Sequence, residues 1–386
     1  MLVRILVYIE LFLGLRLPPG PKPKPIIGNM LDIPNDSEWI TYADWANKYG
    51  ELVYANVFGT HMLWVNSRQM AYEIFEKRSS NYSDRPTTTM LSELLDVTEW
   101  DIAFQPYGTW WRRHRRDMHM SFHDRAVKAF FPVQSKHTRL LRSPDKYTEH
   151  LFHTAGAVMI EISLTLFYYL IAYGIETQPE KDPYVETAQE VVYSIIEAGT
   201  PGKFLVDIWP WMKYIPACIP GAGFQRKVAR RRRRSIDLLE LPFEESKKRM
   251  NDGNVDVCFV SSRLSEIESD TTMCPYDGAI IKNAAATIFA AGVDTTTNTI
   301  RAFILAMILY PEVQKKAQKE IDSVLGFQRL PEVGDIDALP SVFAIYEEAL
   351  RWHPLIPSGM PHVASEDDVI QGYFIPKGTI EFGNAW

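Results

Sequence analysis

The chain has 386 residues, 46% of them hydrophobic, which is enough to bury a large core and excludes a disordered polymer. Its 41 Lys and Arg against 48 Asp and Glu leave a formal charge of -7, so the molecule as a whole has no electrostatic reason to bind nucleic acid. The three cysteines, Cys218, Cys258 and Cys274, are too scattered for a disulfide framework or a paired metal site and fit a reducing compartment.

Residues 1–15 are mostly apolar but carry Arg4 and Glu10, and they fall short of the roughly 20 residues that span a bilayer. Residues 1–17 therefore read as a short N-terminal membrane anchor, with a buried or interfacial helix as the other reading. Five prolines from Pro18 to Pro25 make 18–28 an extended, semi-rigid hinge that a helix cannot cross. Arg16, Lys22 and Lys24 come directly after the apolar run and would keep the rest of the chain on the cytosolic side. From 29 to 386 no linker suggests a second independent domain.

The segment "WITYADWANKYG" has helical spacing and stops at Gly50, and "ELVYANVFGTHMLWVNS" alternates around Gly59-Thr60 as a hairpin. Residues 67–78 read as helix, and 79–106 as a long irregular loop with a short helix. A very basic helix is expected from Thr109 to about Phe131. From 148 onward nearly every segment has helical period, broken by turns at 201–202, 216–223 and 331–340. The run 155–175 reads as a core helix, Glu161 arguing against a membrane span. The pentad Arg230–Arg234 reads as a solvated helix face; a localisation or nucleic-acid patch is the other possibility. The last twenty residues return to strand-like alternation. The fold class is thus mainly α with small β elements near both ends.

Three clusters could carry chemistry. In "AAGVDTT", Ala290 to Thr296, a glycine weakens the helix and a threonine hydroxyl can bond the carbonyl one turn back, which together open a notch. Asp294 beside that notch could pass protons into an apolar pocket, or the motif could be a Thr-rich kink. Glu348 and Arg351 stand three residues apart on one helix face, where they can pair, just before Trp352-His353-Pro354 ends the helix. In "YGTWWRRHRRDMHMSF", Trp111 and Arg115 lie one turn apart, so an indole and a guanidinium can converge on a flat anionic ligand. A basic surface helix with snorkelling arginines accounts for Arg112, Arg113 and Arg116.

Together with "LPPGPKPKPIIGN", "SSNYSDRP", "EEALRWHP", "MPH" and "GYFIPKGT", in this order over nearly the whole chain, these clusters resemble the cytochromes P-450. These are haem-thiolate monooxygenases, and the likeness is closest to the fungal microsomal members. The resemblance implies the P-450 fold, haem as cofactor, O2, an apolar small-molecule substrate, and electrons from an NADPH-dependent reductase. It implies a place on the cytosolic face of the endoplasmic reticulum membrane and a role in fungal secondary metabolism. It assigns Asp294 and Thr295 to proton delivery in oxygen activation, and Ala291 and Gly292 to the oxygen groove. Trp111, Arg115 and His362 fall where the family contacts haem propionates, and Glu348 with Arg351 form its structural ion pair. The remaining basic residues of that helix would steer an acidic electron donor.

The sequence also departs from the family. Its iron-binding cysteine sits in a glycine-rich loop near the C-terminus, and none of Cys218, Cys258 or Cys274 has such a context. The expectation is a C-terminally truncated P-450 lacking its axial Cys and final helix, with impaired activity and no metal ligand assignable. Residues Ser163 to Ile171 are an insert that rotates the downstream chain by about 900° if helical. The competing class is a non-catalytic, haem-free remnant or membrane-associated helical protein. No HExxH pair, phosphate-binding loop or nucleophile elbow supports another enzyme, and "GAGFQR" lacks a third glycine and a preceding strand.

Overall fold

The computed structural model describes residues 16–34, 37–123, 125–126, 128, 170–175, 182–200, 202–219, 223–254, 258–269, 277–326, 329 and 331–386. The anchor region 1–15, Cys274 and most of the 163–171 insert lie outside them. Helix α1, Glu38–Tyr49, ends as its spacing predicts: Gly50 takes φ 104°, and its N–H reaches Ala46 O at 2.9 Å. The hairpin comes next as β1, Leu52–Val57, and β2, Thr60–Val65. Its two turn residues are Phe58 and Gly59, both at positive φ, one position earlier than the sequence suggests.

The helix expected over 67–78 starts at Arg68, capped by Ser67 Oγ accepting from Met70 N at 3.2 Å, and its second half, Tyr72–Lys77, is wound as a wider π-type turn. The loop expected over 79–106 is more ordered than its irregular pattern implies. It holds short helices Ser79–Tyr82 and Val97–Trp100 and a π-type turn Thr89–Leu94. The basic helix α2 spans Thr109–Phe122, shorter than expected, because His123 turns extended.

The helical remainder comprises α3, Pro183–Gly199; α4, Gly223–Asn251; α5, Phe259–Ser269; α6, Asp277–Leu309; α7, Pro311–Leu325; and α8, Pro340–Trp352. α3 begins where Asp182 accepts from Tyr184 N and Val185 N and Pro183 supplies its first turn. α8 has no cap from its own chain start. Instead Glu320 of α7 accepts from Ser341 N and Val342 N at 3.0 to 3.2 Å, putting a carboxylate on the helix N-terminus. α6 is the hub, with α2, α3, α4, α5, α7, α8 and Val97–Trp100 packed on it. Its Ala284-Ala285-Ala286 run is fully buried and lets those neighbours approach closely.

The pentad Arg230–Arg234 lies on α4 as an ion-paired face. Arg230 and Arg234 reach Glu190 at 2.9 Å, Arg231 pairs with Glu197, Arg232 meets Asp96 at 3.1 Å and Arg233 meets Asp237 at 3.0 Å. Glu190 and Glu197 belong to α3, so Arg230, Arg231 and Arg234 clamp two helices together.

β3, His362–Val363, β4, Asp368–Ile370, β5, Tyr373–Ile375, and β6, Ile380–Gly383, complete the strands. One sheet has the order β1-β2-β6-β3, with β2 and β6 parallel and the other pairs antiparallel; β4 and β5 form a separate hairpin. Alternation along the strands sends Leu63, Val65 and Glu381 to one face and Met62, Trp64 and Phe382 to the other. The first face packs on Met70, Ile74 and Tyr82, the second on Tyr42 and Trp45. A third and larger core lies among the helices, and Leu170 to Ile175, the described end of the long apolar run, are buried in it or beside it.

The proline-rich segment docks on the edge of the sheet. Tyr54 N donates to Pro19 O at 2.9 Å, and Asn29 Nδ2 donates to Pro21 O at 3.0 Å, so an edge strand that would face water finds partners. Gly28 sits at φ +61°, where an added Cβ would fall 2.0 Å from Asn56 O.

Candidate active site

α2 owes its placement to its inward face. Trp110, His114 and Asp117 recur at helical spacing on the side turned to the protein. Trp110 Nε1 donates to Glu99 O at 3.1 Å. The fully buried His114 bridges Trp110 O, 3.0 Å from Nδ1, and Asn283 of α6, 3.2 Å from Nε2. Burial pulls the His114 pKa down and so favours the neutral ring. Asp117 Oδ1 receives Arg263 Nε and Nη2 at 2.9 and 2.6 Å, tying α2 to α5. With that face anchored, Arg112, Arg115 and Arg116 are exposed. Trp111 packs on Tyr107 at 5.3 Å, and the Arg112 guanidinium lies 5.4 Å from the same ring. Arg115 makes no ion pair among the described residues.

Asp84 and Arg85 join this helix to β3. Asp84 Oδ1 accepts from Tyr107 N at 2.9 Å, just ahead of α2, while its carbonyl accepts from Val363 N at 3.0 Å. Arg85 Nη1 donates to Pro361 O at 2.7 Å and Met360 O at 3.3 Å. Two adjacent residues thus gather the "YG" before α2 and the "MPH" of β3 at one place. The motif "SSNYSDRP" carries this pair, but nothing in its spacing shows that it bridges segments about 270 positions apart in the chain.

His362 is half-buried beside Phe75, ring centroids 5.3 Å apart. Burial, with the Arg85 charge nearby, brings its pKa down to about 4. Its Nδ1 is buried without a hydrogen-bond partner. Gly359, at φ +65°, lets the preceding loop pass Gly383, whose carbonyl would lie 2.9 Å from an added Cβ.

α6 crosses from core to surface within the motif. Phe289, Ala290 and Gly292 are buried, whereas Ala291 and Thr295 are exposed on one helix face. Thr295 Oγ1 donates to Ala291 O at 2.9 Å, and Thr299 Oγ1 to Thr295 O at 3.0 Å, the back-bonding that the threonine run implies. Asp294 lies on the same helical turn, and its side chain is outside the described residues. On α8 the Glu348–Arg351 pair forms, at 2.5 and 2.7 Å, with both side chains mostly exposed. Its hydrogen bond holds the Glu348 carboxyl below the usual range.

The exposed Ala291–Thr295 face and Arg115, which makes no ion pair among the described residues, offer an open helix face and a guanidinium, features that a flat, apolar group bearing carboxylates would use. Haem fits that description. Matching of the chain to family models finds cytochrome P450 over residues 18–386. The chain belongs to the cytochrome P450 family. Fungal P450 relatives agree. The chain is 37% identical to cytochrome P450 monooxygenase COX1 of Coprinopsis cinerea, over 97% of this chain and 72% of that protein. It is 38% identical to cytochrome P450 monooxygenase 208 of Postia placenta, over 96% and 70%, and 34% identical to tryptamine 4-monooxygenase of Psilocybe cyanescens, over 96% and 73%. The P450 assignment makes this a monooxygenase that uses haem iron, O2 and a redox partner.

Among the described residues no cluster of three or more His, Cys, Asp or Glu could hold a metal ion. Cys258 is buried in hydrogen bonds with Ser261, and Cys218 is exposed. Two surface clefts both include Lys77 and Arg78; one also takes in Ser80 and Asn81 of "SSNYSDRP", and neither contains Trp111, Arg115, Ala291, Gly292, Thr295 or His362. Sequence reasoning passed over His114, Asn283, Arg85 and Glu381. His114 could have been found from its place one turn after Trp110 in the helical pattern.

Proposed function

We propose that this P450 inserts one oxygen atom from O2 into an apolar small molecule, drawing electrons from an NADPH-dependent reductase. The observation that carries this reading is the emergence of α6 from the core at Ala291, with the Thr295 hydroxyl on the open side. Haem iron, when bound, supplies the one-electron and oxygen chemistry that no side chain can. Arg115 and His362 would hold its carboxylates, and Trp111 would pack beside it. Ala291, being small, leaves room beside the helix. Thr295 can exchange its bond to Ala291 O for a donor role and pass on a proton, and Asp294 on the adjacent position recharges it. The exposed Arg112 and Arg116 present positive charge to an acidic electron donor.

A cytosolic-face location on the endoplasmic reticulum membrane is supported by the apolar residues 1–15 and by the exposed Ile26, Trp211 and Tyr214. No described helix is long and apolar enough to cross a membrane.

The functional test is incubation of the protein with NADPH, a reductase and 18O2. One labelled oxygen in an apolar product is expected, and label arriving from water would overturn the reading. Thr295→Val should keep haem uptake but lower product per NADPH roughly tenfold, the electrons leaving as hydrogen peroxide. An unchanged yield would remove Thr295 from the proton path.

A further inference from the structure

β6 has strand neighbours on both sides, and the sheet is covered on both faces. Glu381 lies in the middle of it, fully buried, with neither carboxylate oxygen in a hydrogen bond. On one side its register partner is Leu63, an apolar core residue. On the other it is His362, directly opposite in the antiparallel β3–β6 pair. Side chains opposite one another in such a pair leave the same face of the sheet, with Cβ atoms about 5 Å apart. The register therefore starts two orphaned polar groups, the Glu381 carboxyl and His362 Nδ1, from the same face of neighbouring strands, neither with a hydrogen-bond partner.

We propose that Glu381 is kept as a neutral carboxylic acid whose O–H donates to His362 Nδ1, locking the imidazole as its Nε2–H tautomer. A protonated carboxyl has one donor, and a neutral imidazole has one acceptor nitrogen, so one bond satisfies His362 Nδ1 and one of the two carboxyl oxygens. The three side-chain torsions of Glu381 give the reach. The alternative, an ionised carboxylate, would be favoured only by the backbone N–H groups of Glu381 and Ala364, which burial outweighs.

The surrounding charges agree. Arg85 approaches the ring from the loop and opposes a charged imidazolium. Asp368 is engaged by Arg78 at 2.8 Å and by Tyr82 Oη at 3.1 Å. The Tyr82 carbonyl also faces the ring, and with Nδ1 occupied it can be met only by Nε2–H. Burial pushes the Glu381 carboxyl up to about 9 and helps bring His362 down to about 4, so near neutral pH the shared proton stays on the carboxyl. Glu381 is a positioning residue: it fixes which nitrogen of His362 can donate. The hydrogen bond does not depend on haem; that Nε2–H then serves a porphyrin carboxylate rests on the proposed monooxygenase function.

The test is two-bond 1H–15N correlation spectroscopy of the histidine-labelled chain between about pH 5.5 and 8, where an unperturbed imidazole would titrate. His362→Gln identifies the resonance. His362 should remain neutral in the Nε2–H form throughout. Glu381→Gln, whose amide can still donate, should preserve that tautomer, whereas Glu381→Val, which cannot, should lose it. An imidazolium at pH 7, an Nδ1–H tautomer, or a Glu381→Val spectrum identical to the parent would overturn the proposal. Wild-type spectra decide between these outcomes even if a variant folds poorly, and a haem-binding failure would leave the tautomer result standing.

Discussion

Glu381 makes stability depend on pH in the direction opposite to a salt-bridged carboxylate. In the unfolded chain it ionises near pH 4.5, but in the fold it holds its proton up to about pH 9. Between those values the unfolded state gains from ionisation and the native state does not, so folding stability falls as pH rises, by at most roughly 1.4 kcal/mol per unit. Glu381→Gln has nothing to ionise. It should flatten this slope and stabilise the chain at pH 8 by about 2 kcal/mol, read from urea midpoints at pH 5, 6.5 and 8. A slope unchanged by the substitution would show that the carboxyl is already charged when folded. The strand-like alternation at the end of the chain does not say whether Glu381 faces water, because period two alone cannot tell a half-exposed strand from one covered on both faces.

Helix α2 shows how an element gains a functional face through the face it hides. Its outward arginines were legible as a basic run. The inward lock of His114 to Asn283 and Asp117 to Arg263 was not, since its partners come about 150 positions later in the chain. Arg263 is 5% exposed and delivers two hydrogen bonds to one oxygen of Asp117, whose other oxygen has no partner. Arg263→Leu strands that carboxylate in the core and should cost about 3 kcal/mol, measurable by urea unfolding. Adding Asp117→Leu should recover part of the loss, a coupling that two independent sites would not show. The Thr295 and Thr299 back-bonds were expected from the threonine run, because both partners lie one turn away on the same helix.

Across the whole molecule, apolar surface is divided unevenly. Three cores are closed, yet Leu305, Ile308 and Leu309 at the end of α6, with Phe343 and Tyr346 of α8, stand exposed. A contiguous apolar face of this kind binds hydrophobic probes and promotes association. Leu305→Lys with Ile308→Glu should cut anilinonaphthalene sulfonate fluorescence about twofold while shifting unfolding free energy by less than about 0.5 kcal/mol. Equal fluorescence in parent and variant would place the binding surface elsewhere.

The end of α1 at Gly50, the β1–β2 hairpin and the family could be read along the chain, because capping, turn conformation and motif order are set by residues near one another. Burial of Glu381, the neutral state of His114, the bridge made by Asp84 and Arg85, and the exposure of α8 were decided only by the tertiary structure. Each depends on which distant segment comes to cover a given face, and that contact determines whether water or protein solvates the charge.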